Sequence, residues 1–343
     1  MPELPEVETV RRGLKKYILN KKIIRIVVFE DKSFKDALPD DSRHASSRPS
    51  SRGSSLTRSQ PVAKCLESSD KAPRLGAKYL KLPDETSQSG AKYLELPDKT
   101  IQGLKRFGKA LVIDLDDGCS LMIHLRMTGQ LIWRGETGEF AAGHPSENFV
   151  AELPNKQTRV VFEFEDGKLF FNDQRKFGFV KLMPTTEVEK DAFIKKLGPE
   201  PWEMSENELY ERCQRHGKAL IKAVLLNQEV IAGLGNIYAD EALFAAGVHP
   251  ERRAGSLTKT EVTKILAGAK KVMKSAIEAG GSTMATYVKA DGTRGNYLDE
   301  FAQVFGKQGQ ECPKCGAEIV KIRVAGRGTH ICPHCQQKGK KND

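Results

Sequence analysis

Apolar residues fall at Val7, Val10, Leu14 and Ile18, in steps of three and four that put them on one face of a helix. Pro5 suits a first helical turn, with Glu3 and Glu6 near its positive end. The run 23–29, IIRIVVF, predicts a strand. Residues 110–115 and 120–125 flank Asp116-Asp117-Gly118, and 160–165 and 168–171 flank Asp166-Gly167, so two hairpins are expected. Several short antiparallel strands behind one helix imply a β-sandwich. Past Pro201 the period lengthens, and helices are predicted over 206–213, 220–226, 237–246 and 259–278, with Gly233-Leu234-Gly235-Asn236 among the breaks. A last hairpin is expected from 319–324 and 329–331 around the turn 325–328.

Residues 36–100 interrupt this pattern. The stretch 42–60 holds eight serines and four arginines in nineteen residues and no apolar period. Such a composition buries too little surface to offset its ordering entropy. Behind it, GAKYLKLPDET at 76–86 returns as GAKYLELPDKT at 90–100. Two copies are too few for a solenoid. The whole segment is therefore expected to be a loop insertion, mostly disordered.

Composition changes the picture in two places. The 343 residues carry a net charge of +10 and 39% hydrophobic residues, suited to about two domains and a polyanionic partner. No uncharged apolar run nears the roughly 18 residues of a membrane span, and the acidic start is no signal peptide, so a cytoplasmic protein is expected. Of seven cysteines, Cys312, Cys315, Cys332 and Cys335 form C-x2-C-x16-C-x2-C, the spacing of a tetrahedral zinc site. Four thiolates fill that shell, so neither His330 nor His334 is needed as a ligand. From residue 312 onward, seven Lys and Arg face two acids, a local +5 on a metal-held hairpin suited to phosphates.

The opening PELPEVET, the turn Gly235-Asn236-Ile237-Tyr238 and the four-cysteine ribbon together resemble the bacterial formamidopyrimidine-DNA glycosylases. His124-Leu125-Arg126-Met127, Arg175-Lys176-Phe177-Gly178, Leu197-Gly198-Pro199-Glu200-Pro201 and Gly326-Arg327-Gly328-Thr329-His330 add to the likeness, which covers all but the insertion. Leu4 stands where the related endonuclease VIII branch usually has glycine, which favours the purine-lesion branch.

The resemblance implies an α+β fold: an N-terminal helix and antiparallel β-sandwich over 1–200 (insertion 36–100), a helix-two-turns-helix domain over 201–306 and a zinc ribbon over 307–343. It implies a monomer acting on damaged double-stranded DNA, with no membrane partner and one structural zinc. Once Met1 is removed, Pro2 exposes a secondary α-amine, and an α-amine with a pKa of roughly 7.7–8 is partly neutral at pH 7. By resemblance Pro2 is the nucleophile, Glu3 shuttles protons, Glu6 orients the amine or the lesion, and Lys109 meets the phosphates. Lys78 and Lys92 in the repeats imitate Lys109, but only Lys109 runs directly into the hairpin that leads to His124. Met127, Arg175 and Phe177 would fill the space left by the extruded base, Arg175 facing the orphaned cytosine. On pattern alone Met127 and Phe177 read equally well as sandwich core. Asn236 would touch the DNA backbone, or serve only as a helix N-cap, and Arg327 offers a guanidinium to the same backbone. Residues 282–297 match the loop that covers the flipped base, and Phe305 stands where the family often has Tyr. The rivals are an endonuclease VIII-like enzyme for oxidised pyrimidines and a non-catalytic zinc-ribbon DNA-binding protein.

Overall fold

The computed structural model describes residues 1–38, 79–81, 92–94, 99–144, 150–280 and 301–338. The helix α1 spans Leu4–Ile18, and its predicted face is buried: Val7, Val10, Leu14 and Ile18 all belong to one core cluster. The strands β1 (Lys22–Ile23), β2 (Arg25–Val28) and β3 (Phe34–Asp36) follow. Next come β4 (Tyr79–Lys81), β5 (Lys92–Leu94), β6 (Lys99–Phe107), β7 (Ala110–Leu115) and β8 (Cys119–His124). Then β9 (Gly129–Gly135), β10 (Gly138–Gly143), β11 (Thr158–Phe164), β12 (Gly167–Asp173) and β13 (Phe179–Pro184) complete two sheets.

One sheet runs β1-β6-β7-β8-β13-β3 and the other β10-β9-β12-β11-β2-β5-β4. Apolar residues of both, such as Leu111, Ile113, Leu121, Leu131, Phe162 and Phe171, share one core with α1, which makes the expected sandwich. Both expected hairpins are present, β7–β8 and β11–β12. The all-antiparallel expectation needs one correction, because β13 pairs with β3 in parallel.

The insertion also needs correction. Its repeat copies carry β4 and β5, which pair with each other, and β5 pairs with β2 in register Val27↔Tyr93. Strand β2 would otherwise leave an open edge, and a Lys-Tyr-Leu run with strand propensity can extend it. Thr100 and Lys99 belong to β6, so the interruption ends before them. The serine- and arginine-rich stretch 42–60 lies outside the described residues, as does the 282–297 segment.

The second half is helical: α2 (Glu206–Arg215), α3 (Ile221–Leu226), α4 (Asn236–Ala246) and α5 (Lys259–Glu278). These helices share a second core, and Leu4 of α1 sits in it rather than in the sandwich core. Helix α1 therefore bridges two hydrophobic cores, with its first turn at their seam. The hairpin β14 (Val320–Val324) and β15 (Arg327–Ile331) forms the ribbon, whose Cys312, Ile319 and Cys332 pack on Phe244 of α4 and Val304. Among the described residues no helix is long and apolar enough to cross a membrane.

Candidate active site

The first turn of α1 is pressed against the turn that enters α4. The Leu4 amide donates to the Gly233 carbonyl at 3.1 Å, and the Ile237 amide donates to Glu3 Oε1 at 3.0 Å. Side chains are excluded from this seam. A Cβ on Gly235 would lie 2.2 Å from the Glu3 carboxyl carbon, and one on Gly233, at φ +88°, 2.3 Å from Leu4 Cδ1. The Glu3 amide donates to Glu6 Oε2 at 2.8 Å, and Glu6 Oε1 accepts from the Tyr238 hydroxyl at 2.6 Å. Pro2, Glu3 and Glu6 are all buried here.

The electrostatics follow from that burial. Glu3 Oε2 has no hydrogen-bond partner among the described residues. Desolvation, opposed by Lys109 and reinforced by Glu6, raises the Glu3 carboxyl to about 7. Lys109 enters from the turn between β6 and β7 and donates to the Leu234 carbonyl at 2.7 Å. Burial pushes its ammonium down while Glu3 and Glu6 pull it up. Of the three lysines that share the motif, Lys109 reaches the site; Lys92 lies in the other sheet, and Lys78 falls outside the described residues. His124 faces Ala110 across β7 and β8. Its Nδ1 accepts from the Arg126 amide at 3.0 Å, which leaves the ring proton on Nε2. Burial, aided by the cations of Arg126 and Lys109, lowers its pKa to about 3, so it is a neutral donor.

Met127 and Phe177 are not sandwich core. Phe177 is 56% exposed and Met127 half-buried, on neighbouring loops after β8 and β12. The exposed Arg175 holds its guanidinium 4.9 Å from the Phe177 ring centroid. Asn236 is the first residue of α4 and Gly235 its cap, so the helix starts one residue before the expected Ile237. The cap's usual side-chain acceptor is supplied instead by Glu3. Asn236 Nδ2 donates to the Gly328 carbonyl at 3.0 Å, and its Oδ1 has no partner among the described residues. This bond joins the α4 start to the ribbon turn that presents the exposed Arg327.

The ribbon is further fixed by residues that the motifs did not flag. Lys222 Nζ donates to Asp240 Oδ1 at 2.6 Å and Thr329 Oγ1 at 2.7 Å, and the His330 amide donates to Asp240 Oδ2 at 2.9 Å. Glu241 accepts from the amides of Gln303, Val304 and Phe305, and the Phe305 ring lies edge-on to His330 at 4.8 Å. A lone lysine inside the apolar run ALIKAVLL was the available signal for Lys222. Nothing local marked Asp240 or Glu241, and Tyr238 stood in the Gly235-Asn236-Ile237-Tyr238 motif with no role assigned to it.

The four cysteine sulfurs lie within 4.8 Å of one another, Cys312 to Cys335 at 3.9 Å and Cys315 to Cys332 at 3.5 Å. A tetrahedral zinc with sulfurs at about 2.3 Å sets them about 3.8 Å apart. The set fits one zinc ion, which would tie the two C-x2-C turns together and leave no open position for catalysis.

Known proteins match along nearly the whole chain. The model of the formamidopyrimidine-DNA glycosylase N-terminal domain matches residues 1–69 and 75–180, that of the family's H2TH domain 197–288, and a zinc finger found in FPG and IleRS 309–338. The formamidopyrimidine-DNA glycosylase of Desulfitobacterium hafniense is 35% identical over 346 residues, covering 98% of this chain and 100% of that protein. The Streptococcus thermophilus protein of the same name is 36% identical, at 98% and 100% coverage. A Lactococcus lactis FPG mutant in complex with Fapy-dG containing DNA is 34% identical, with a TM-score of 0.71 over 98% of this chain and 100% of that one. A MutM structure with carbocyclic 8-oxo-G containing DNA is 33% identical, with a TM-score of 0.69 at the same coverage. By three family models in order and by relatives matched end to end, this chain belongs to the formamidopyrimidine-DNA glycosylase family.

Proposed function

We propose that this DNA glycosylase excises oxidised purines, 8-oxoguanine opposite cytosine and formamidopyrimidines, and then cuts the strand. The observation that carries the reading is Pro2 beside a buried Glu3 whose carboxyl is held near neutrality at a seam shared with Lys109. The Pro2 nitrogen lone pair forms a bond to sugar C1′. The glycosidic bond breaks with its electrons leaving on the base, which takes up a proton. Glu3, with a pKa near 7, can give that proton and take one back. The ring opens as the proton lost from the Pro2 nitrogen is passed to O4′, yielding an iminium that acidifies the neighbouring C2′ proton. Its loss expels the 3′ phosphate, a second elimination expels the 5′ phosphate, and water adding at C1′ breaks the C–N bond and frees Pro2. Glu6 orients the amine or the lesion.

Lys109 and neutral His124 serve the phosphates beside the lesion, as Asn236 and Arg327 do across the ribbon seam. Met127, Arg175 and Phe177 occupy the space the base leaves. The chain acts as a monomer on duplex DNA in the cytoplasm, with the sandwich (1–200) carrying the nucleophile and the helical domain (201–306) and ribbon (307–343) gripping the duplex. The Lactococcus lactis and MutM complexes with Fapy-dG and 8-oxo-G containing DNA support the purine branch.

Borohydride trapping on an 8-oxoguanine:cytosine duplex, with peptide mapping, tests the chemistry. One cross-link at Pro2 is expected, lost when an N-terminal tag is left in place. A cross-link at Lys109 with Pro2 blocked overturns the nucleophile. Faster turnover of a thymine glycol duplex overturns the substrate in favour of oxidised pyrimidines.

A further inference from the structure

We propose that Asp173 and Thr128 are positioning residues that lock the Met127 loop and the Arg175–Phe177 loop into one wedge. This rests on the reading that those three side chains fill the space left by the base. The two loops follow different strands, β8 and β12, and each turns through a non-glycine residue in the left-handed region. Arg126 has φ 51° and Lys176 φ 58°. Such turns persist only where surrounding contacts over-determine them.

Asp173 supplies those contacts from a fully buried position at the end of β12. Its Oδ1 accepts from the Thr128 hydroxyl and from the Arg175 amide, the latter at 3.1 Å. Its Oδ2 accepts from the Gly178 amide at 2.7 Å. The Thr128 hydroxyl in turn accepts from the Arg175 amide at 3.0 Å. One carboxylate therefore holds both ends of the 175–178 turn, and one hydroxyl carries the constraint across to the residue after Met127. The carboxylate's own backbone is fixed as well: the Asp173 amide donates to the Gln157 carbonyl at 2.9 Å, and Arg159 Nε donates to the Asp173 carbonyl at 2.8 Å.

Asp173 is fully buried, so the network acts through the half-buried Met127 and the exposed Arg175 and Phe177. A wedge enters a base stack best when its members arrive already placed, because ordering two separate loops at that moment opposes extrusion. The arrangement assigns Thr128 a use for both hydroxyl functions, as donor to Asp173 and acceptor from Arg175. Serine can replace it and valine cannot.

Single-turnover excision of 8-oxoguanine opposite cytosine and opposite adenine tests this, with 2-aminopurine beside the lesion reporting wedge entry. Thr128→Val is expected to lower excision opposite cytosine about tenfold, narrow the cytosine-over-adenine ratio and weaken the fluorescence change. Thr128→Ser restores all three. Asp173→Asn, which turns an amide donor toward backbone donors, is expected to cost about a hundredfold. Nicking of a single-stranded abasic oligonucleotide, which leaves no void to fill, stays within about twofold of the parent. Unchanged ratio and fluorescence in Thr128→Val overturn the proposal, as does single-stranded nicking that falls in step with excision. A parent protein that excises no 8-oxoguanine while cutting abasic duplex overturns instead the substrate reading on which it rests.

Discussion

Lys222 and Lys109 are both buried lysines near the seam between the helical domain and its neighbours, and they are surrounded in opposite ways. Lys222 Nζ has three acceptors, Asp240 Oδ1, Thr329 Oγ1 and the Gly328 carbonyl at 3.4 Å, which match the three protons of an ammonium. Asp240 is likewise bonded through both oxygens. Lys109 has one acceptor, the Leu234 carbonyl, and its neighbour Glu3 keeps one oxygen unbonded among the described residues. Burial pushes both ammonium groups down, opposed at Lys222 by the charge and hydrogen bond of Asp240 and at Lys109 by the charges of Glu3 and Glu6 without a hydrogen bond from either. Where every proton has a partner the cluster fixes geometry, as the ribbon requires. Where partners are short, burial carries the Glu3 carboxyl up to about 7, into the range acid–base chemistry uses.

The comparison can be broken most severely on the fully bonded side. Cys332→Ser, or a strong chelator, is expected to release about one zinc per chain and abolish lesion-duplex binding while the sandwich stays folded. Zinc assay, circular dichroism and gel shift check this. Normal binding without metal would mean that the ribbon does not grip DNA.

Next in size is Lys222→Met, which leaves Asp240 buried without its counter-charge and is expected to destabilise the helical domain by about 3–5 kcal/mol in urea melts. Adding Asp240→Leu removes the stranded carboxylate and should recover most of that loss. A single variant as stable as the parent would contradict the fully paired reading.

Glu3→Gln sharpens the other side, and its sign is reversed. The folded pKa of about 7 exceeds the ordinary 4.5, so the folded chain holds its proton longer as pH rises. Stability is lost between pH 4.5 and 7, and the cost, about 3 kcal/mol, is complete above pH 7. Gln removes it: the melting temperature should rise over the parent at pH 8 and match it at pH 4, while excision is lost. A pH-independent difference in melting would show that Glu3 is not held short of partners.

Least affected should be a deletion of Arg43 to Gly90, which removes no residue of either cluster. It removes β4 and keeps β5, and excision at moderate salt should stay within about tenfold of the parent, or 1.4 kcal/mol. The arginines removed add only salt-sensitive affinity. A larger loss in a folded protein would place the insertion in the site after all.

What could be read from sequence divides along the same line as local and distant contacts. The Val7 to Ile18 face, both sandwich hairpins and the cysteine spacing are patterns within a few residues, and the fold honours them. Asn236 as the first helical residue was not legible, because its helix takes its capping acceptor from Glu3 in another domain. The parallel β3–β13 pair joins residues about 146 positions apart, such as Phe34 and Val180, and no local period encodes it. Strands β4 and β5 were hidden for a further reason. Three-residue runs carry little signal beside a serine-rich neighbour, and an edge already formed decides their fate. The Asp173 network was invisible because an Asp before an Arg-Lys-Phe-Gly tip looks like any polar turn residue.

The hydrogen bond from the Ile237 amide to Glu3 spans 234 positions of chain. It makes the setting of the first turn a property of two regions at once. Glu3 takes its amide donor from Ile237 and Glu6 its hydroxyl donor from Tyr238, and the Gly233–Gly235 turn closes over both Glu3 and Leu4. A chain cut before the helical domain would keep Pro2 and lose the wall that buries Glu3, and with it the desolvation that holds that carboxyl near 7.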